Sequence, residues 1–292
     1  MFVWRHSYAH SLVNKINDIL NKIDMITVAL QGGLGNQLFQ YAYGRARMEE
    51  GEDVVFDTSF FEVNTKYTKR EYLLDNFLIS DSIKTTREYP KQNICTRIIN
   101  KLDVTRRVRY SQANLKKGTF YADGYYVSEK YFLKIRDIIL KEMVLRNKSD
   151  KYEEWEHKIL AAKNPLMIHA RRTDHILNKT FTRIEEPYYQ EAMTHFDDDC
   201  EIFGFSDNAE WLQGTIKRPM TMVSGQGFSD YEELMLMSLG KNFIIANSTY
   251  SWWGAWLSTH PGKKIVALKK WYASIFWTWP NQDVAFDGWV RI

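Results

Sequence analysis

Cysteine is almost missing from this chain of 292 residues: only Cys95 and Cys200 occur, far apart and in no metal-binding or redox spacing. That excludes a disulfide framework and a zinc site, and it points to a reducing, cytoplasmic compartment. Long apolar runs are missing too. No stretch of about 18 or more apolar residues exists to span a membrane. The opening segment 1–24 has basic and polar residues throughout and no apolar centre, so it does not read as a signal peptide. Charge of one sign is not in excess either. The 39 Lys+Arg against 36 Asp+Glu leave a net +3, too little to mark nucleic acid as a partner, so any anion site must be local. No cluster of His, Asp and Glu has firm metal spacing. The triplet Asp197-Asp198-Asp199 precedes its strand instead of following it and reads as a solvated loop.

Aromatic residues, by contrast, are abundant: 15% of the chain, with 10 Trp and 17 Tyr. They suit either stacking on sugars or bases or large core packing. The length favours two domains. Strand-like apolar runs at 25–30, 53–57, 165–170, 200–205, 220–224, 242–247 and 263–268 alternate with helical patterns. Those helical patterns fall at 36–51, 129–145, 186–196, 229–240 and 251–260, and Ser229 is placed to cap its helix. Leu12, Ile16, Leu20 and Ile23 have helical spacing, which makes 1–24 an amphipathic extension before a main body that starts at Met25. The basic stretch 105–110 reads as a solvated helix face or a peripheral membrane contact. The polar stretch 146–154 is the expected hinge. The result is an α/β chain of two Rossmann-like domains facing a cleft, 25–150 and 151–292.

Four stretches carry chemistry. "QGGLGNQLFQ" (31–40) is a strand, a glycine turn and a helix start, a corner whose free backbone N–H groups suit an anion. Gly33 and Gly35, with Asp57 ending the next strand, also fit a dinucleotide reading and hence an NAD-dependent oxidoreductase, although Leu38 stands where a third glycine belongs. Asn36 and Gln37 place side-chain amides at the helix start. "IHARRTD" (168–174) puts His169, Arg171, Arg172 and Asp174 at the carboxyl end of a strand. Neighbouring strand residues face opposite ways, so one guanidinium can meet a ligand phosphate while the other is held by the fold. "IIANSTYSWWGAWL" (244–257) runs from a strand through Asn247, Ser248, Thr249 and Ser251 into a helix, a second anion cradle, with Trp252, Trp253 and Trp256 expected in the core. "FGFSDN" (203–208) ends in Ser206, Asp207 and Asn208, where a carboxylate can pair with the N1–H and N2–H₂ edge of guanine.

Taken in order, "GGLGNQLFQYAYGRA", "GYYVSEKYF" (124–132), "HARRTD", "FGFSDN" and "LMLMSLGKNFIIANSTYSWWGAWL" resemble the α-1,2-fucosyltransferases of glycosyltransferase family 11, over nearly all of 25–292. The family's His-x-Arg-Arg-x-Asp motif is matched by His169, Arg171, Arg172 and Asp174. The resemblance implies a GT-B-like fold and inverting, metal-independent transfer of L-fucose from GDP-L-fucose to the 2-hydroxyl of a terminal β-galactoside. The acceptor would be an oligosaccharide or a lipid-linked glycan. It implies that Arg171 or Arg172 holds the diphosphate, and that Asn247 to Ser251 with Asp207 line the nucleotide side. Asn36 and Gln37 would face the donor–acceptor junction, and Tyr125, Tyr126 and Glu129 are assigned to the acceptor. Asp174 and His169 are the candidate general bases. Departures from the family pattern are Thr173 and His175 around the aspartate, Ala170, Tyr126 and Val127, which bear on acceptor preference. A carbohydrate-binding protein without catalysis is the remaining alternative.

Overall fold

A computed structural model describes residues 25–62, 70–87, 110, 120–172, 181–273, 284 and 288–292. The expected helix within 1–24, the basic stretch apart from Tyr110, Cys95, Thr173, Asp174 and His175 lie outside the described residues. The first half contains β1 (Met25–Ala29), α1 (Leu34–Glu49), β2 (Asp53–Asp57), β3 (Lys84–Thr86) and β4 (Phe120–Ala122). These strands form a sheet of order β3-β2-β1-β4 in which every pairing is parallel. After α2 (Arg136–Glu142) and α3 (Asp150–Ala161), the chain builds a second sheet. Its elements are β5 (Leu166–Ala170), α4 (Glu186–Met193), β6 (Ile202–Ser206), α5 (Ala209–Thr215), β7 (Met220–Met222), α6 (Asp230–Ser238), β8 (Asn242–Ile244), α7 (Thr249–Leu257), β9 (Lys264–Ala267) and β10 (Val290–Arg291).

The second sheet has the order β10-β9-β8-β5-β6-β7, again all parallel. Counted from its own first strand this is 3-2-1-4-5-6, the Rossmann order. Helices cover both faces of such sheets, which is why β5 and β6 read as unbroken apolar runs and are buried at every position.

The two halves share a core. Phe39 on α1 lies 4.4 Å from Trp252 and 5.1 Å from Trp253 on α7, ring centre to ring centre, and Phe132 stacks on Trp253 at 5.4 Å. The carboxyl end of α7 is closed by two cations. Lys263 Nζ donates to Ala255 O and Ser258 O, and Arg136 Nη2 donates to Trp256 O, which matches the negative end of the helix dipole. Burial, with Arg136 close by, pushes Lys263 down to about 8.

Several boundaries differ from the sequence reading. The helix expected over 129–145 is instead two 3₁₀ turns, Glu129–Tyr131 and Leu133–Ile135, followed by the short α2. Phe132 sits between the turns at φ −137°, outside helical geometry, where its ring reaches Trp253. Helix α3 begins inside the polar stretch 146–154, capped by the Ser149 side chain. Only Tyr152 and Ile159 of that helix are buried, a stripe too narrow to register as an apolar period.

Candidate active site

In each sheet the first strand is flanked on one side by the strand that follows it and on the other by a later one. β1 lies between β2 and β4, and β5 between β6 and β8. Open α/β sheets bind ligands outside the carboxyl ends of their strands at such switch points. Here the two switch points border one cavity of about 630 Å³. Gly33 to Asn36 after β1 and Tyr125 and Val127 after β4 line it from the first sheet. His169 and Arg171 at the end of β5, Ser206 and Asp207 at the end of β6, and Asn247 to Tyr250 after β8 line it from the second.

Two helix N-termini meet at this cavity. α1 starts at Gly33 with no side-chain cap and no acidic residue in its first turn. α7 starts at Ser248, whose hydroxyl accepts from Tyr250 N, and its first turn also lacks acid. The contact between the helices depends on Gly35. A Cβ there would lie 2.5 Å from the Thr249 carbonyl carbon and from Tyr250 N, so only glycine lets the backbones approach this closely. Beside it, Thr249 Oγ1 donates to Asn36 Oδ1 at 2.9 Å, one side-chain bond from half to half. Gly32 holds φ +82°, a left-handed turn in which a Cβ would lie 2.7 Å from the Asn36 amide nitrogen.

The adjacent arginines part company as strand alternation requires. Arg171 borders the cavity with its side chain 30% exposed, and its Nε lies 3.4 Å from Asp207 Oδ2. Arg172 turns into the protein. Its Nη1 donates to Ile184 O at 2.7 Å and to Glu185 Oε2 at 3.1 Å, and the guanidinium lies 4.0 Å from the centre of the Trp211 ring. Asp207 braces both, since its Oδ1 accepts from Arg172 N at 2.8 Å. The Asp207 carboxylate thus lies against Arg171 and the Arg172 backbone while still lining the cavity. His169 is buried against Tyr250, ring centres 5.8 Å apart, and both border the cavity.

Five expected site residues face elsewhere. Arg172 is the first. Gln37 is fully buried; its amide donates to Gly32 O and Glu71 O, and its Oε1 accepts from Leu73 N. It ties the loop 71–73 to α1 and does not border the cavity. Ser251 is equally buried and donates to Ala246 O and Ser248 O within its own turn. Tyr126, at φ +49°, stacks on Tyr43 with ring centres 3.9 Å apart, which leaves its neighbours Tyr125 and Val127 on the cavity. Glu129 accepts from the Trp256 indole N–H at 3.0 Å. Four of these corrections have one cause: the side chain is directed inward to satisfy a buried polar group, whereas Tyr126 is held inward by its ring stack on Tyr43.

Asp57 likewise serves the fold. Its carboxylate accepts from Ser59 N and from the Tyr121 hydroxyl, both at 2.8 Å, which removes it as a ribose ligand for NAD. Among the described residues no group of three or more His, Cys, Asp or Glu is placed to hold a metal.

The structure adds residues that carry no local signal in the sequence. Arg70 borders the cavity from the first half, its Nη1 3.9 Å from where a Gly33 Cβ would be. Glu233 on α6 borders it from the second half and accepts from Ser224 Oγ at 2.7 Å. Burial raises the Glu233 carboxyl above its ordinary range, and neighbouring Asp230 adds to the rise while the Ser224 bond opposes it. In the sequence Glu233 is one of four acidic or polar residues opening a helix, and only the phase of α6 tells it apart. Phe181, Trp271 and Tyr272 also border the cavity.

Comparison with known proteins gives a consistent result. A family model, that of Glycosyl transferase family 11, matches residues 4–292. The chain is 30% identical over 302 residues to the O-antigen biosynthesis glycosyltransferase WbnK of Escherichia coli, covering 90% of this chain and 99% of that one. It is 25% identical to an alpha-1,2-colitosyltransferase of Escherichia coli, covering 92% and 99%. Among solved structures it resembles fucosyltransferase NodZ from Bradyrhizobium with a TM-score of 0.50 at 13% identity, over 80% of this chain and 92% of that one. At that identity the likeness is one of fold: two Rossmann-like α/β units facing a cleft, the GT-B arrangement.

Proposed function

The chain belongs to glycosyl transferase family 11, and from that premise we propose that it transfers L-fucose from GDP-L-fucose to the 2-hydroxyl of a terminal β-galactoside, with inversion and without a metal ion. One observation carries the reading: Arg171, braced by Asp207, borders the cavity between two uncharged helix N-termini. A diphosphate bound there meets a bidentate guanidinium and free backbone N–H groups. As the bond from the anomeric carbon to the phosphate oxygen breaks, GDP gains negative charge, and these fixed donors stabilise it without reorganising.

Glu233 is the proposed reader of the base. A half-buried carboxylate facing a cavity has little solvent to compensate it beyond the Ser224 hydroxyl, and the N1–H and N2–H₂ donors of guanine supply two hydrogen bonds. The acceptor hydroxyl attacks the anomeric carbon from the face away from GDP and gives up its proton. His169, which borders the cavity, and Asp174, suggested by the motif, are the two candidate bases for that step. The name of the colitosyltransferase relative favours a second donor, GDP-colitose.

The test is an assay of purified protein with GDP-fucose and GDP-colitose against a panel of β-galactosides, with the linkage of each product read by NMR. Transfer that persists in EDTA and yields an α-1,2 linkage is the expected result. GDP binding without any product would favour a carbohydrate-binding protein, and activity lost on chelation and restored by magnesium would overturn the metal-free mechanism.

A further inference from the structure

Both protons of the Asn247 side-chain amide go to carbonyls of two segments distant in sequence. Nδ2 donates to Thr182 O at 2.8 Å and to Trp271 O at 3.0 Å. These segments also join directly, through Thr182 N to Trp271 O at 3.1 Å and an isolated antiparallel bridge between Phe181 and Tyr272. The junction presents an aromatic pair with ring centres 5.5 Å apart and planes 30° from parallel. Tyr272 is only 4% exposed, so the pair is backed by the core while both residues border the cavity.

Position along the cavity decides what the pair can meet. The strand order puts β6 and β7 on one side of the switch point and β9 on the other. Glu233 is held by Ser224 just after β7, Phe181 is bridged to Tyr272 just after β9, and Arg171 follows β5, which lies between those strands. From β7 to β9 there are four strand spacings, about 19 Å. A nucleotide with its base at Glu233 and its phosphates at Arg171 therefore points its sugar towards the aromatic end. The acceptor must reach that sugar from the side away from the phosphates. A donor sugar is already tethered through its diphosphate, whereas a neutral galactoside offers no charge to Arg171 and needs contact area instead.

We propose that Phe181, backed by Tyr272, is the stacking platform for the pyranose ring of the acceptor, and that Asn247 is the residue that positions it. The proposal rests on the transferase reading above. One face of a galactopyranose is a patch of C–H bonds; aromatic rings remove that face from water and leave the hydroxyls at its rim. Asn247, expected from the motif to line the nucleotide side, is then a positioning residue acting through the strap it pins.

Steady-state kinetics with GDP-fucose and lactose test this, alongside the rise in melting temperature caused by GDP. Phe181→Ala raises the lactose KM about tenfold and leaves the GDP-induced rise at its wild-type value. Phe181→Leu, which keeps apolar volume without a flat ring and guards against misfolding, does the same, and Phe181→Tyr restores the wild-type KM. Asn247→Ala also raises the lactose KM, and the double variant Phe181→Ala/Asn247→Ala is no worse than Phe181→Ala alone, because the amide acts through the ring. An unchanged lactose KM in an active Phe181→Ala enzyme, a raised KM for GDP-fucose instead, or additive effects in the double variant would overturn the proposal. Wild-type protein that neither responds to GDP nor transfers fucose to lactose would bring down the transferase reading itself, and this proposal with it.

Discussion

The switch point of the first sheet and that of the second are built alike, a strand, a turn and a helix N-terminus, yet they contribute different things. At the first, Gln37 and Gln40 hold the turn and the neighbouring loops by hydrogen bonds to backbone, and Gly35 brings α1 against α7. Among the described residues its one cation on the cavity, Arg70, is supplied by a loop further along the chain. At the second, Arg171, His169 and Asp207 come directly from strand ends. The first corner supplies shape and the second supplies charge. A glycine turn before a helix is therefore an anion corner only when the tertiary structure leaves its donors facing a ligand.

The largest test of this contrast is Arg171 itself. Arg171→Ala should lower kcat by about 100- to 1000-fold, the loss typical of a fixed donor on developing charge, with little change in melting temperature. Full activity in that variant would break the comparison, because charge would then not reside at the second corner. Arg172→Ala should do the opposite. Loss of its buried hydrogen bonds and its stack on Trp211 should cost about 2 kcal/mol in denaturant unfolding, with the residual folded enzyme keeping its KM for GDP-fucose.

Gly35→Ala probes the shape side. The added methyl meets backbone, so α1 and α7 must separate; a stability loss of about 1–3 kcal/mol is expected, together with weaker GDP binding by calorimetry. Unchanged GDP affinity would show that the helix N-termini need not converge. Glu233 sharpens the charge side. Because burial raises its carboxyl above the ordinary range, part of the empty protein still carries it protonated at a pH where an ordinary carboxyl has ionised. Guanine binding favours the ionised form, so GDP binding should release a proton there, and affinity should rise with pH through the raised value and then level off. Glu233→Gln should abolish that rise in a pH series of binding measurements. The smallest effect on ligand is expected from Gln37→Ala, which should cost about 1–2 kcal/mol of stability by orphaning the backbone groups it serves while GDP affinity hardly moves.

How far the site was legible follows from the same physics. Strand ends carrying charge stood out because charge after an apolar run is rare and has to be accounted for, and strand alternation told that the two arginines would part. Which of them faced the ligand was not legible, since Ile184, Glu185 and Trp211, which hold Arg172, lie in separate segments of the sequence. Gln37, Ser251, Tyr126 and Glu129 were misplaced for a related reason: a polar side chain beside a motif looks available until its buried partner is known. Arg70 and Glu233 carried no local signal at all, because a loop and a helix phase bring them to the cavity.

The amino-acid sequence by itself determined the parallel α/β alternation, the strand ends that bear chemistry and the family, because these depend on local periodicity and on residue order. Only the tertiary structure decided which polar groups face the ligand and which satisfy one another. That choice depends on what stands opposite each side chain across the sheet and the cleft, and burial penalises every group left without a partner.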